Sequence, residues 1–246
     1  MNKTELDTIA KIIALTLKEL SVTVVDSKRI SGSKPAPEES NDSSCVVNDA
    51  SSPYISEASL VPVEVFVRHV YLSQEDLETC FGEGYELTHA LDLVTPGEFI
   101  AKETVTVSSK IGKIEDVRIF GPVTENSQVE LLKYDTYELG IKPPVREFGD
   151  IEGSAPIRIA GPKGAVKLYE GATIAQRYIT MKPSDAEKFG VRDRQVVSID
   201  VLGSKGGVLR NFVVKVSEDY ELACHLDREE ADTMGLNNRS NVRIVK

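Results

Sequence analysis

Arg68-His69-Val70-Tyr71-Leu72-Ser73 recurs along the chain in altered form as Arg177-Tyr178-Ile179-Thr180-Met181-Lys182. Each copy has the pattern of a strand that leads into a short acidic helix closed by a glycine. Alternate side chains of a strand lie on the same face, so His69 accompanies Tyr71, and Tyr178 accompanies Thr180. A pair of histidines at this spacing would form a metal-binding pincer, but only one of the four residues is a histidine. We expect the chemistry of the chain to lie at these strand ends.

The same scheme of strand end, acidic helix and glycine occurs twice more along the chain. Tyr71, Glu130, Thr180 and His225 each precede the closing glycine of their segment by ten or eleven residues. We interpret the four as equivalent positions, one in each half-barrel of two pseudo-symmetric barrels. Barrels that pack face to face would let these positions converge on one cleft.

Short β-like runs separated by glycine and proline begin at about Val61. They predict a mainly β fold with short α-helices, in which closed or partly closed barrels protect the strand edges. We divide this region into a first β-barrel half at 61–150 and a second at 151–246. The predicted strands are 61–72, 103–107, 117–120, 129–132, 157–160, 196–202 and 212–216.

The first sixty residues have a different character. Residues 1–20 have the pattern of an amphipathic helix, and residues 21–60 are rich in serine, as is typical of a flexible linker. A tethered helix leaves its apolar stripe free for a groove on another protein, so we interpret it as a docking helix. The alternatives are that it folds back onto the domain or lies on a membrane, which the acidic residues beside its lysines disfavour. The stripe consists of Leu6, Ile9, Ile13, Leu17 and Leu20.

The composition argues against several classes of function. A net charge of -10 disfavours nucleic acid as the main partner, since phosphate binding needs a surplus of Lys and Arg. The three cysteines are odd in number and far apart, which fits neither a disulfide framework nor a cysteine zinc site. The sequence also lacks a long apolar run and a leader-like N-terminus, so we expect a soluble, cytoplasmic protein without a membrane partner.

Six short motifs occur in a fixed order between residues 61 and 246. They are Arg68-His69-x-x-Leu72-Ser73, Thr95-Pro96-Gly97, Ala101-Lys102-Glu103-Thr104-Val105, Phe120-Gly121-Pro122 followed by Ser127-Gln128-Val129-Glu130, Ala175-Gln176-Arg177, and His225-Leu226-Asp227. Together they resemble the PduL-type phosphate propanoyltransferases, the phosphotransacylases of bacterial microcompartments. The resemblance covers about three quarters of the chain.

The resemblance implies two β-barrel domains with short helices and a dinuclear zinc site between a His-x-His pair in each half. It implies interconversion of acyl-CoA plus phosphate with acyl phosphate plus coenzyme A, for a short acyl group of propanoyl type. Zinc would polarise the thioester carbonyl and help neutralise phosphate. Residues 1–20 resemble the encapsulation peptides of family members. That likeness implies a shell or cargo protein as partner and a location within a microcompartment.

Most of the metal-ligand positions are substituted. His69, Glu130 and His225 match metal ligands of the family and leave partial sites, while the family's other histidines correspond to Tyr71, Tyr178 and Thr180. Neither Tyr nor Thr is a usual zinc ligand. The sequence therefore predicts zinc that is weakly bound or absent.

The phosphate-binding position is substituted as well. Thr124 stands where the family has the arginine expected to handle phosphate. Arg68 and Arg177 hold equivalent positions in the two halves, and they are our candidates for binding phosphate or coenzyme A. The alternative is that both are solvated charges at strand ends. No catalytic residue is assigned.

Three hypotheses of function remain open at this point. The chain is a phosphotransacylase with a remodelled site, or a catalytically silent paralogue that keeps the fold and acts as a coenzyme A-binding or structural partner. A β-barrel binding module unrelated to acyl transfer is the third. Zinc content and acyl phosphate formation distinguish the first two, and the oligomeric state, homo- or hetero-oligomer included, is left open.

Overall fold

The structure is a computed structural model that describes residues 60–203 and 205–246. The predicted docking helix at 1–20 and nearly all of the predicted linker at 21–60 lie outside the described residues. Within the described residues the fold is mainly β with short helices, as the sequence predicts. None of the helices described is long and apolar enough to cross a membrane.

Fourteen strands and four helices make up the described part of the chain. The strands are β1 (Leu60–Phe66), β2 (His69–Tyr71), β3 (His89–Asp92), β4 (Phe99–Ser108), β5 (Lys113–Gly121), β6 (Gln128–Leu131), β7 (Val145–Arg146), β8 (Ala155–Ala160), β9 (Ala165–Ala175), β10 (Tyr178–Met181), β11 (Val196–Val201), β12 (Gly207–Val216), β13 (Ala223–Asp227) and β14 (Asn241–Val245). The helices are α1 (Gln74–Phe81), α2 (Asp135–Leu139), α3 (Pro183–Phe189) and α4 (Arg228–Met234).

The strands close into two barrels, each with its own apolar core. In the first barrel, β8 pairs with both β4 and β9 and so closes the ring β4-β5-β2-β6-β9-β8, with β3 and β7 added at its margins. The second barrel is the closed ring β1-β13-β10-β12-β11-β14. Closure leaves few bare strand edges, which protects both sheets from aggregation. The cores contain Leu72, Leu77, Ile119 and Ile159 in the first barrel and Ile179, Met181, Ile199 and Phe212 in the second.

The barrels do not follow the predicted division into 61–150 and 151–246. Strand β1 belongs to the second barrel, because it pairs in parallel with β13 and antiparallel with β14. Strands β8 and β9 belong to the first barrel, where they close the ring. The predicted single strand 61–72 is thus two strands, and the chain passes from one barrel to the other at Val67 and Arg68. Pairing between strands that are distant in the sequence sets the boundary between the two barrels, and local sequence patterns do not reveal this pairing.

The two barrels share one internal layout. Strand β2 lies between β5, parallel, and β6, antiparallel, just as β10 lies between β12 and β13. The register pairs His69 with Glu130 and Tyr178 with His225. Tyr71 therefore corresponds to Thr180, and Glu130 to His225. Within each barrel the ladder sets Glu130 opposite His69 and not Tyr71, and His225 opposite Tyr178 and not Thr180, so the predicted equivalence of the four positions holds only between the barrels.

The predicted strand–helix–glycine scheme is present in all four segments. Helices α1 to α4 follow β2, β6, β10 and β13, and each ends at a glycine. Gly140, Gly190 and Gly235 have positive φ angles of 60°, 61° and 68°, and their N–H groups bond back to carbonyls of the preceding helix. A side chain at such a left-handed position is strained, which explains the recurring glycine.

A bidentate ion pair joins the two barrels at the surface. Arg194, in the turn before β11, donates to both oxygens of Glu147, in the loop after β7, at 2.6 and 2.7 Å. The hydrogen bonds from Arg194 lower the pKa of the Glu147 carboxyl from its ordinary value of 4.5. A carboxyl with a depressed pKa in the folded state contributes stability above its unfolded pKa and loses that contribution as the pH falls through the folded pKa.

We therefore expect Arg194→Gln to lower Tm by roughly 1–2 °C at pH 7, since the guanidinium is largely exposed. The difference from the unmodified protein should disappear at an acidic pH below the folded-state pKa of Glu147, where the carboxyl is protonated in both states. Thermal unfolding at the two pH values measures this. An equal difference at both would show that the pair makes no electrostatic contribution.

Candidate functional site

A pocket with a cavity volume of about 210 Å³ lies where the two barrels meet. Both barrels supply its walls, and the ends of β2, β6, β10 and β13 bring their alternate side chains into it. All six positions singled out in the sequence line this pocket: His69, Tyr71, Glu130, Tyr178, Thr180 and His225. The two strand copies and their partners thus reach one place, although they lie far apart along the chain.

His69 is the centre of the first barrel's contribution. Its Nδ1 lies 2.8 Å from the carbonyl oxygen of Val67, and its Nε2 lies 3.3 Å from Oε2 of Glu130, which is opposite it on β6. The ring stacks on Phe120 with 4.0 Å between centroids. Because Nδ1 donates to the backbone carbonyl, Nε2 is the nitrogen that faces the carboxylate.

His225 is the centre of the second barrel's contribution. Its Nδ1 lies 2.9 Å from Oε2 of Glu64, and its Nε2 lies 3.0 Å from Oγ1 of Thr180. Tyr178 stacks on the imidazole with 4.2 Å between ring centroids. Both ring nitrogens therefore have protein partners, and the stacked phenol fixes the plane of the ring.

The phenols of Tyr71 and Tyr178 and the carboxyl of Glu98 also line the pocket. The hydroxyl of Tyr71 lies 3.4 Å from Oε2 of Glu98, which directly precedes β4. Burial raises the pKa of Tyr71 and of Tyr178 well above their ordinary value, and the neighbouring carboxylates add to the effect. Burial also raises the pKa of Glu98. Both phenols consequently stay neutral at physiological pH.

Lys215 is the single Lys or Arg among the described residues that line the pocket. It lies on β12 beside Thr180, in parallel register. Its Nζ is 4.3 Å from the centroid of the Tyr178 ring and 3.8 Å from Oε2 of Glu147. Burial lowers the pKa of the ammonium group. This half-buried cation is the group best placed to meet an anionic substrate.

The predicted phosphate candidates do not line the pocket. Arg68 forms an ion pair with Asp135 of α2, and Arg177 forms one with Glu230 of α4. Each guanidinium thus fastens a strand end to a short helix. Thr124, at the position of the family's arginine, donates its hydroxyl to the carbonyl of Asn126 at 2.9 Å. Arg68 and Arg177 thus lie outside the lining of this pocket, whereas Lys215 lies within it, and phosphate or coenzyme A binding by the two arginines stays a prediction.

Three charged residues of the pocket escaped the sequence analysis. Glu64 lies on β1 and reaches His225 because β1 and β13 pair in parallel. Glu98 lies in the turn that opens β4, and Lys215 comes from β12. None of them carries a local pattern that distinguishes it from other charged residues at strand ends. Cys224, the neighbour of His225 on β13, faces the core of the second barrel while His225 faces the pocket.

The donor set fits zinc poorly. Structural and catalytic zinc sites use three or four nitrogen, sulfur or carboxylate ligands. Within residues 60–203 and 205–246, no three His, Cys, Asp or Glu side chains are grouped so as to hold a metal. His69 and Glu130 offer two ligands, whereas both nitrogens of His225 are engaged by Glu64 and Thr180. The neutral hydroxyls of the substituted positions do not replace the missing ligands.

We therefore expect substoichiometric zinc in the purified protein after dialysis against metal-free buffer. Elemental analysis measures this, with the triple variant Tyr71→His, Tyr178→His and Thr180→His as the control that restores histidine at the family's positions. The control should retain more zinc than the unmodified chain. Two tightly held zinc ions per unmodified chain would contradict the expectation.

Comparisons with known proteins place the chain among close relatives. A family model described as "Phosphate propanoyltransferase" matches residues 62–237. The chain is 46% identical to the phosphate propanoyltransferase of Thermotoga maritima over 185 residues, which are 75% of this chain and 88% of the relative. It is 47% identical to that of Lachnoclostridium phytofermentans over 173 residues, 70% of this chain and 81% of the relative. It is 38% identical to that of Clostridioides difficile over 192 residues, which are 78% of this chain and 92% of the relative. The residues matched by the family model include the first barrel, most of the second barrel and every residue that lines the pocket.

Proposed function

Since this chain belongs to the phosphate propanoyltransferase family, we propose that it transfers a short acyl group, of propanoyl type, between coenzyme A and phosphate. The observation that carries the proposal is the match over residues 62–237, which spans every residue of the pocket. A binding module outside this family is thereby excluded. The comparisons give no support to the silent-paralogue alternative.

The reaction needs a cation near phosphate and a side chain that can accept and donate a proton. A phosphate oxygen attacks the thioester carbonyl, and the sulfur of coenzyme A leaves as a thiolate that must be protonated. Lys215 supplies the cation, and His69 and His225, each beside a carboxylate, supply groups that exchange protons. The side chains that line the pocket therefore have the chemistry that the transfer requires.

The size of the pocket supports a short acyl group. A cavity of about 210 Å³ is smaller than the range of roughly 300–1,000 Å³ that is usual for drug-sized ligands. It has room for the reactive end of an acyl thioester and for phosphate, while the nucleotide of coenzyme A stays outside. The apolar part of the wall, which includes Ile100, Phe120 and Phe148, provides contacts for the alkyl chain.

The direct test incubates the purified chain with propanoyl-CoA and phosphate. Release of the coenzyme A thiol and trapping of the acyl phosphate as its hydroxamate should both depend on phosphate. Acetyl-CoA and butanoyl-CoA in parallel reactions report the preferred chain length, and sulfate in place of phosphate is the control. The absence of phosphate-dependent thiol release with all three thioesters would contradict the proposal.

We also propose that residues 1–20 dock the protein to a shell or cargo protein of a bacterial microcompartment. The support is the apolar stripe in the sequence and its resemblance to encapsulation peptides. A fusion of residues 1–60 to a fluorescent protein should copurify with microcompartments in cells that make them. The same fusion with Ile9→Asp and Ile13→Asp is the control. Equal copurification of both fusions would contradict docking through the stripe.

A further inference from the structure

Glu64, His225 and Thr180 form a line of carboxylate, imidazole and hydroxyl in the wall of the pocket. Oε2 of Glu64 lies 2.9 Å from Nδ1 of His225, and Nε2 of the same ring lies 3.0 Å from Oγ1 of Thr180. Three adjacent strands of the second barrel hold them: β1 places Glu64 opposite His225 on β13, and β13 pairs with β10, which carries Thr180. Rigid strands and two ladders therefore fix the geometry.

This order of groups is that of an activated nucleophile. A carboxylate that accepts the Nδ1 proton leaves Nε2 free to accept a proton from a hydroxyl. The hydroxyl of Thr180 has a second acceptor, the carbonyl of Glu221 at 2.8 Å, and rotation about its C–O bond moves the proton from one acceptor to the other. We propose that Thr180 is a nucleophile activated by His225, that Glu64 orients the imidazole, and that the acyl group passes through an ester on Thr180.

The line of carboxylate, imidazole and hydroxyl occurs in the second barrel and has no counterpart in the first. By the shared layout, Tyr71 corresponds to Thr180 and Glu130 to His225, while Thr173 corresponds to Glu64 because it pairs with Glu130 as Glu64 pairs with His225. Those counterparts offer no imidazole between a carboxylate and an aliphatic hydroxyl. Threonine at position 180, where the family has a histidine, thus removes a metal ligand. The same threonine supplies the hydroxyl that pairs with the base His225.

The steps balance for the transfer under "Proposed function", on which this inference rests. Oγ1 of Thr180 bonds to the thioester carbonyl carbon, the C–S bond breaks, and the Thr180 proton travels through Nε2 of His225 to the thiolate of coenzyme A. In the second half, an oxygen of hydrogen phosphate attacks the ester carbonyl and gives its proton to Nε2. The bond to Oγ1 then breaks, acyl phosphate leaves, and Oγ1 takes the proton back. Lys215, in register with Thr180, lies near the developing negative charge.

A covalent intermediate allows half of the reaction to proceed without phosphate. Labelled coenzyme A should therefore exchange into propanoyl-CoA in phosphate-free buffer. Mass spectrometry of acid-quenched protein should find one propanoyl group in the peptide that contains Thr180. Thr180→Val should lower the exchange rate by about 10³-fold, and Thr180→Ser should keep most of it. Thr79→Val, which removes an exposed hydroxyl that also donates to a backbone carbonyl, is the matched control and should change nothing.

Glu64 acts by orienting the imidazole of His225, so the test of Glu64 has to distinguish a loss of this orientation from partial unfolding. Glu64→Gln should lower the exchange rate at saturating propanoyl-CoA while the KM for propanoyl-CoA stays the same, and circular dichroism of the variant checks that the loss exceeds any unfolded fraction. A propanoyl group on a residue other than Thr180, or unchanged exchange in Thr180→Val, would overturn the inference. If Thr180→Val does not fold, the labelled peptide of the unmodified protein decides.

The two proposals fail in different ways. Acyl phosphate formation without phosphate-independent exchange would remove the covalent step and leave the proposed function standing. Exchange and a labelled Thr180 without acyl phosphate formation would instead remove phosphate as the acceptor and leave the nucleophile standing.

Discussion

Lys215→Met is expected to lower kcat/KM for phosphate by about 10²-fold, which is the usual effect of removing one charge-stabilising group from an enclosed site. Phosphate arrives as an anion at a pocket that also contains Glu64, Glu98 and Glu130. Lys215 is the one Lys or Arg that lines this pocket within the described residues. Methionine keeps an unbranched side chain of similar length but removes the charge and the ammonium contact with the Tyr178 ring. Initial rates at varied phosphate measure the change.

Lys182→Met provides the matched control. Lys182 lies at the end of β10, near the pocket, but it is exposed and pairs with Glu221 at 3.0 Å. Its replacement should alter the rate by less than about twofold, because an exposed pair contributes little. A loss of the same size in both variants would mean that general electrostatic attraction, and not a contact inside the pocket, draws phosphate to the protein.

Arg68→Met is expected to lower the free energy of unfolding by about 3 kcal/mol, because it leaves a buried carboxylate without its partner. The side chain of Asp135 is fully buried, and Nε of Arg68 donates to its Oδ2 at 2.8 Å. Oδ1 lies 2.7 Å from Nη2 without the angle of a hydrogen bond, so charge attraction holds that oxygen. The N–H of Leu132 also donates to Oδ2. Urea unfolding of the full chain measures the loss.

Two further variants test the cause. Arg68→Met combined with Asp135→Asn should recover most of the lost stability, since it removes the buried charge together with its partner. Arg177→Met should cost less, about 1 kcal/mol, because Glu230 in the corresponding pair is 23% exposed and water solvates it when the partner is lost. If the double variant is as unstable as Arg68→Met, the loss comes from packing of the arginine stem and not from charge.

Local chemistry explains what the sequence predicts correctly. Strand ends, acidic first turns and the glycines at positions 140, 190 and 235 are each set within about ten residues, so the pattern reveals the repeated β-α unit. Because the two barrels have the same strand layout, the ends of corresponding strands lie at corresponding places in each barrel. That repetition explains why His69 and His225 both lie at strand ends, and the packing of the two barrels brings them to one pocket.

Long-range pairing explains what the sequence leaves open. Glu64 reaches His225, and Lys215 reaches the side of Thr180, only through strand ladders between distant segments. The same ladders move β1 into the second barrel and displace the predicted boundary at 150. From the sequence alone, in which the strand register is not visible, Thr180 is interpreted only as the replacement of a metal-binding histidine. Its partner His225 and the orienting Glu64 become visible only when the three strands lie side by side.

The passage of the chain between barrels at Val67 and Arg68 has a consequence for biosynthesis. The second barrel needs β1, which the ribosome makes before any strand of the first barrel, and it also needs β13 and β14, which are made after all of them. Strands β2 to β9 are contiguous and complete a ring as soon as β9 emerges. We expect the first barrel to form during translation, while β1 waits unpaired beside it. The Glu64–His225–Thr180 line therefore assembles only when β13 has been made and reaches β1.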